Sequence, residues 1–215
     1  MKPSHITFTG LDEATDLEKV VALSKMENCE WGILFSRNRQ GIDPRYPSME
    51  VIEKMLDAEL TFAAHLCGKI AQHVMETSRI DIDLSKFSRV QVNHTDPSAV
   101  ALARFSDNIG LPVIGQWRDS NRFPEIYEGV SWLYDPSGGN GLRPSTWPKN
   151  PSDHPVGYAG GINADNVATV IAAIGSLSPA GYWIDMESGV RTENLLDLSK
   201  VQDVIENVAL SESHC

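Results

Sequence analysis

A chain of 215 residues, 41% hydrophobic and 22% charged, has material for a sizeable buried core and the balance of an ordinary globular protein. Its formal net charge of −11 argues against nucleic-acid binding, because a protein that neutralises phosphates needs a basic face. It leaves room for a small anionic ligand, which needs only a local cluster of donors.

Short apolar segments rich in β-branched or aromatic residues recur along the chain and predict strands. The first is His5–Thr9 (HITFT). It leads into LDEATDLEKVVALSKME, where Leu17, Val20, Val21 and Leu23 stand near helical spacing. Trp31–Ser36 (WGILFS) is followed by PSMEVIEKMLDAE, a predicted helix with Ser48 as N-cap and Val51, Ile52, Met55 and Leu56 as its buried stripe. Leu60–Cys67 (LTFAAHLC) and Arg89–His94 (RVQVNH) come next. After the latter, DPSAVALARFSDNIG predicts a helix opened by Asp96 and Pro97 and closed by Gly110. Leu111–Trp117 (LPVIGQW) and Val130–Asp135 (VSWLYD) are the fifth and sixth strands. The stretch from there to Pro155 is rich in Pro, Gly and Ser and predicts a long loop. Val156–Gly161 (VGYAGG) precedes NADNVATVIAAIG, a helix capped by Asn163 and closed by Gly175. Gly181–Met186 (GYWIDM) is the eighth strand, and SKVQDVIENVAL turns Val201, Val204, Ile205 and Val208 inward. The pieces KIAQHVMETS and NRFPEIYEG carry only partial helical patterns.

Strands alternating with helices imply a parallel sheet covered by helices, and eight such units imply a compact (β/α)8 TIM barrel, an α/β fold, as a single domain over residues 1–215. An open doubly wound sheet is the competitor, but no GxGxxG follows the first strand. The cysteines, Cys29, Cys67 and Cys215, are scattered and odd in number. They suggest neither a disulfide framework nor a zinc knuckle, and point to a reducing compartment. No apolar h-region opens the chain and no apolar run reaches the roughly 20 residues needed to span a bilayer. The expectation is a cytoplasmic protein with no membrane or nucleic-acid partner and no cofactor.

In such a barrel the chemistry sits at the carboxyl ends of the strands, and residues i and i+2 of a strand share a face. Those ends carry Thr7 and Thr9, His65 and Cys67, Gln91 and Asn93 with His94 beyond, Gln116 and Arg118, Asp135, and Asp185 and Glu187. Polar and titratable groups thus gather at one end of otherwise apolar strands, which predicts a site at one barrel mouth. Gly160 and Gly161 end the seventh strand just before a helix, and Ser188 and Gly189 follow the eighth. Glycines let backbone N–H groups approach an anion, so these loops are candidates for phosphate.

The same residues resemble the phosphoribosylanthranilate isomerase family of tryptophan biosynthesis, whose members are (β/α)8 barrels of about this length. AGGINADNV resembles that family's A-G-G-L-x-P-E-N-V, and IDMESGV its V-D-V-S-S-G-V. YDPSGGNG with a Trp downstream resembles its D-x-x-x-G-G-T-G loop, DPRYPS its S-P-R-Y-x-S, and VQVN its V-Q-L-H. The resemblance implies a small phosphorylated substrate. It makes Asp135 the general acid that protonates the ring oxygen of a phosphorylated aminosugar. It gives phosphate to Gly160, Gly161, Ser188 and Gly189, and substrate contacts to Arg45, Gln91, Asn93, Gly138, Gly139 and Gly141.

The family opens K-I-C-G-L, its Cys being the general base that removes the C2 proton in the Amadori rearrangement. This chain reads TFTGL, so Thr9 stands in place of that Cys. A Thr hydroxyl is far too weakly acidic to serve unassisted, so an altered base is expected. The candidates are His65, Cys67, Asp185 and Glu187. Cys67 reads equally well as a small buried hydrophobe. The four groups His65, Asp135, Asp185 and Glu187 are also metal-ligand types, but no local spacing signature joins them, and no metal is expected. Glu187 beside a phosphate needs an offset from Arg118 or Arg191. A barrel that binds a phosphorylated or carboxylated metabolite without isomerising it is the alternative, as is another sugar-phosphate lyase or epimerase. A Schiff-base aldolase fits less well, since Lys69 is the sole lysine near a strand end.

Overall fold

The computed structural model describes residues 1–119, 122–125, 127–150 and 152–212; Cys215 and the Asn121 and Ile126 positions of the fifth connection lie outside them. Eight strands, β1 (Ile6–Thr9), β2 (Cys29–Phe35), β3 (Phe62–Cys67), β4 (Arg89–Asn93), β5 (Val113–Trp117), β6 (Val130–Tyr134), β7 (Val156–Ala159) and β8 (Tyr182–Met186), close into a barrel in sequence order. Every pair is parallel, and β8 returns to β1 with Thr7 opposite Asp185 and Phe8 opposite Met186. Each strand lies within two residues of its predicted bounds, and closure excludes the open sheet.

Among the described residues six helices flank the barrel: α1 (Leu17–Leu23), α2 (Met49–Met55), α3 (Lys69–Thr77), α4 (Ala99–Ile109), α5 (Val167–Ile174) and α6 (Leu198–Glu212). Ser48 caps α2 as expected, and Gly110 ends α4 in the left-handed conformation. Two caps shift: Ser98, not Asp96, opens α4, and Asn166, not Asn163, opens α5. Asn163 and Asn166 instead bond each other's backbone N–H groups in the preceding turn. A short antiparallel pair, β9 (Arg191–Thr192) and β10 (Leu195–Leu196), escaped the sequence analysis because two-residue strands carry no periodicity.

The described residues form no helix after β5 or β6, and there the strands are covered by aromatic side chains from the loops. Phe123 meets Tyr158 edge-on at 5.5 Å, and Trp147 lies between Tyr134 and Tyr158 at 6.1 and 5.9 Å. The Tyr158 hydroxyl donates to the Pro148 carbonyl at 2.9 Å, pinning the loop to β7. Large rings thus hide strand faces that a helix hides elsewhere. Trp147→Ala is expected to cost about 2 kcal/mol, less than a fully buried ring because Trp147 is half-buried, read as a lower urea midpoint at unchanged slope.

The barrel interior is divided. On the β5–β8 side Ile114, Leu133, Ala159 and Trp183 form their own apolar cluster, separate from the larger core between sheet and helices. On the β1–β4 side the inward positions are polar: Thr7, Thr9, Glu30, His65 and Gln91 are all buried. A polar interior sector this deep needs internal partners for every group. Among the described residues no helix is long and apolar enough to cross a membrane.

Candidate active site

At the carboxyl ends of the strands a cavity of about 50 Å³ is lined by Thr9, His65, Gln91, Asn93, Asp135, Gly139, Gly141, Gly160, Gly161, Glu187 and Ser188, as the strand-end pattern predicts. Gln116, Ser137 and Asp185 line it too. Gly138 and Gly189 stand just behind, in the same loops. Arg45 touches the cavity only through Glu187, and Cys67 does not line it.

Asp135 is the first residue after β6. The Gln116 amide (2.9 Å) and the Gly139 N–H (2.7 Å) donate to Oδ2, and the Ser137 N–H (3.1 Å) and hydroxyl (2.8 Å) donate to Oδ1. Two donors per oxygen fill the carboxylate's accepting capacity. The Gly141 N–H in turn donates to the Ser137 hydroxyl at 3.1 Å. The loop after β6 is thereby folded down over its own aspartate. Gly141 has a φ of +67°, and a Cβ there would overlap the Ser188 hydroxyl, so only glycine lets this loop lie against the turn after β8.

Asp185 has the opposite surroundings. Among the described residues only the Thr9 hydroxyl donates to it, at 2.7 Å to Oδ1. Burial is the main cause that raises its pKa to about 7; the Thr9 bond opposes this, the Glu30 and Asp135 charges add to it, and Arg89 opposes it.

His65 is fully buried on β3. The Gln91 amide nitrogen donates to its Nδ1 (3.2 Å) and to the Asn93 Oδ1 (2.9 Å), and Asn93 donates to the Cys67 sulfur at 3.3 Å. An accepting Nδ1 puts the ring proton on Nε2, which has no partner among the described residues. Burial lowers the imidazole to about 4, with the Glu30 charge opposing it and the Arg89 charge adding to it, so it is neutral at pH 7. Gly32 lies between β1 and β3 here: a Cβ on it would stand 2.7 Å from the Thr9 hydroxyl and 2.9 Å from His65 Nε2. Glycine lets those two groups share one corner of the cavity.

Burial pushes the Cys67 thiol up to about 11, with Asn93 and Tyr46 bonds acting against it. Such a thiol is a poor base at neutral pH. Glu187 is offset by two arginines, Arg45 at 3.2 Å and Arg191 at 3.6 Å, and Arg118 instead leans over Gly138 and donates to Gln116 at 3.2 Å. Burial still raises the Glu187 pKa above the ordinary range against those charges. Arg191 is anchored by donating to the Gly10 carbonyl at 2.7 Å and stands 3.7 Å from Asp12. Among the described residues no group of three or more His, Cys, Asp or Glu side chains could hold a metal ion.

The model of the family described as N-(5'-phosphoribosyl)anthranilate isomerase matches residues 119–207, the stretch that holds Asp135, both glycine turns, and Asp185 and Glu187 at the end of β8 and just beyond it. The chain resembles the phosphoribosylanthranilate isomerases. Its fold is similar over nearly its whole length to a phosphoribosylanthranilate isomerase from Thermotoga maritima, with 16% identity, a TM-score of 0.60 and coverage of 97% of this chain and 99% of that one. TrpF from Jonesia denitrificans superposes with a TM-score of 0.64 at 14% identity, covering 97% and 98%. The N-(5'-phosphoribosyl)anthranilate isomerase from Pyrococcus furiosus gives 0.59 at 16%, covering 96% and 98%. No curated protein matches in sequence. At these identities the structural likeness shows the (β/α)8 barrel fold alone and speaks for no one residue's role.

Proposed function

We propose that this protein is an acid–base isomerase of a small phosphorylated sugar derivative, working as a single barrel domain. The observation that carries this is the juxtaposition, in one cavity, of two carboxyl groups in contrasting surroundings with the glycine turns after β7 and β8. Contrasting carboxyls suit a site that must give a proton to one atom and take one from another. The backbone of Gly160 and Gly161 and the Ser188–Gly189 turn would hold the phosphate. Asp135 would protonate the ring oxygen: the C1–O bond breaks, its electron pair goes to oxygen, and the amine lone pair forms the imine.

A cavity of about 50 Å³ holds one or two waters, whereas small-molecule sites run to several hundred Å³. Substrate therefore enters when the 137–144 loop lifts. Lifting it withdraws the Ser137 and Gly139 donors and frees the Asp135 oxygens for substrate. Loop closure over the phosphate would then set access and chemistry together.

Turnover of phosphoribosylanthranilate, followed by loss of its fluorescence, tests the narrow form. Asp135→Asn is expected to lower kcat by about 10²–10⁴-fold, the usual share of a general acid. Turnover equal to the parent's removes the acid assignment. Binding without isomerisation is the second reading, and it rests on Thr9, whose hydroxyl is already engaged by Asp185 where the family carries a thiol. Thr9→Cys separates the two. Turnover that rises on reversion marks a site still built for isomerisation; turnover that stays absent marks a pocket rebuilt for another ligand.

A further inference from the structure

Taking the isomerase reading as its basis, we propose that Asp185, joined to Thr9 and faced across the cavity corner by the His65 Nε2–H, is the group that moves the sugar C2 proton in this site, in place of a strand-one thiol. Position comes first. Asp185 lines the cavity, its carboxyl is buried, and one oxygen is held by the Thr9 hydroxyl at 2.7 Å while no described residue donates to the other. That second oxygen is left to the cavity. Asp135, with four donors on its two oxygens, has no such free atom until its loop moves. A base needs an oxygen able to reach its proton, fixed in direction by a partner on the other side. Thr9 supplies that fixing bond. The residue that cannot itself be the base thus becomes the one that aims it.

His65 supplies the complementary donor. Its Nδ1 is satisfied by Gln91, and its Nε2–H is a fully buried donor, without an acceptor among the described residues, at the same corner as Thr9. A buried donor left unpaired costs roughly 1–3 kcal/mol, so its retention is accounted for by an acceptor that arrives with the substrate. The oxygen on sugar C2 is that acceptor, and negative charge grows on it as the C2 proton leaves. Being neutral, His65 donates without contributing a charge of its own.

The protons balance. The Asp185 carboxylate takes the C2 proton; the C2–H electron pair forms the C1–C2 double bond, and the imine π pair returns to nitrogen. The Asp185 carboxylic acid then gives its proton to C1. The enol hydroxyl gives its own proton to Asp135, which had lost one to the ring oxygen, and C2 becomes a carbonyl. Both carboxyls end as they began. A carboxyl whose pKa burial has moved to about 7 can both take and return a proton near neutrality. The charged groups facing it are Glu30 from β2, Arg89 from β4 and Asp135 from β6, with the Thr9 hydroxyl from β1.

The test uses phosphoribosylanthranilate deuterated at C2 and the reduced aminoketose phosphate as a non-reacting binder. The full chain is compared with Asp185→Asn and Thr9→Val, after each variant is shown to be folded by circular dichroism. Asp185→Asn is expected to bind the reduced analogue within a few-fold of the parent, yet to lose about 10²–10⁴-fold in C2 proton abstraction. Thr9→Val, lacking the bond that favours the carboxylate, is expected to move the kcat/KM inflection near pH 7 upward. A parent that binds the analogue but never exchanges C2 hydrogen overturns the isomerase reading and this proposal with it, in favour of binding without isomerisation. Asp185→Asn that abstracts as fast as the parent, or an inflection that Thr9→Val leaves in place, overturns this proposal alone. A parent that does not bind the analogue at all overturns the isomerase reading itself, and is seen before any variant is made.

Discussion

Arg89→Met is expected to destabilise the protein by about 3–5 kcal/mol, the range for removing one partner of a buried ion pair. Arg89 Nη2 donates to Glu30 Oε1 at 2.7 Å, and the two side chains are only 13% and 5% exposed. The pair sits inside the barrel, toward the amino ends of the strands, the end of such a barrel that serves stability and not chemistry. Around it the polar side chains are joined to one another. Thr7 donates to Glu30 at 3.0 Å, Arg89 donates to Thr7 at 3.2 Å and to His5 Nε2 at 2.7 Å, and the guanidinium lies 4.5 Å over the Trp183 ring. Burial alone would raise the Glu30 pKa, but the Arg89 charge and hydrogen bond outweigh it and hold the carboxyl below its usual range. Methionine fills the space and leaves Glu30 with a charge and no counter-charge. Replacing Glu30 by leucine in the same chain is expected to restore most of the loss, because a well-packed apolar pair can match a buried ionic one. Urea unfolding of the parent, the single and the double variant measures both. A single variant within about 1 kcal/mol of the parent would mean the pair is solvated after all.

That ion pair also reaches the site above it, since the Arg89 charge is among the groups that lower the Asp185 pKa. Its importance was not legible in the sequence. Glu30 and Arg89 lie 59 residues apart on β2 and β4, and nothing in either segment marks them as partners. The strands themselves were legible because β-branched and aromatic runs bounded by Gly, Pro and Ser are set by local chemistry. Among the described residues no helix follows β5 or β6, in keeping with NRFPEIYEG, which carries only part of a helical stripe, and the 136–155 stretch, which carries none. For the site, strand-end spacing brought out Asp135, His65, Gln91 and Asp185 as residues facing one mouth. It could not say which carboxyl the loop would saturate. Ser137 and Gly139 bond Asp135 because the chain folds back on itself, whereas Asp185, two residues before Glu187 and followed by no such loop, accepts a hydrogen bond only from Thr9 among the described residues. Glu187 likewise found its counter-charges at Arg45 and Arg191 through the β9–β10 hairpin, where Asn194 also accepts from Arg45 at 2.6 Å.

Above pH 7, Asp185→Asn is expected to be more stable than the parent by about 4 kcal/mol, and below pH 4 the two are expected to converge. The sign follows from the direction of the shift. Asp185 has its pKa raised by burial from 3.8 to about 7 in the folded state. Between those values the folded chain holds a proton that the unfolded chain has released, so its contribution to stability is full below about pH 4 and is lost as pH rises through 7. Asparagine still accepts the Thr9 hydrogen bond but never carries the buried charge. His5 and His65 act in the reverse direction. Burial lowers both from 6.5 to about 4, so each contributes about 3 kcal/mol that is present above pH 6.5 and lost as pH falls through 4. For these three groups the parent curve therefore climbs only shallowly between about pH 4 and 6.5, where the Asp185 loss offsets one of the two histidine gains, and is level above that, while the Asp185→Asn curve climbs about twice as steeply over the same range. Urea midpoints at pH 5, 6.5 and 8 distinguish the two shapes. If the variant runs parallel to the parent across all three, Asp185 is ionised in the folded chain throughout. It could then take a proton from substrate carbon but would hold none in reserve to return at neutral pH.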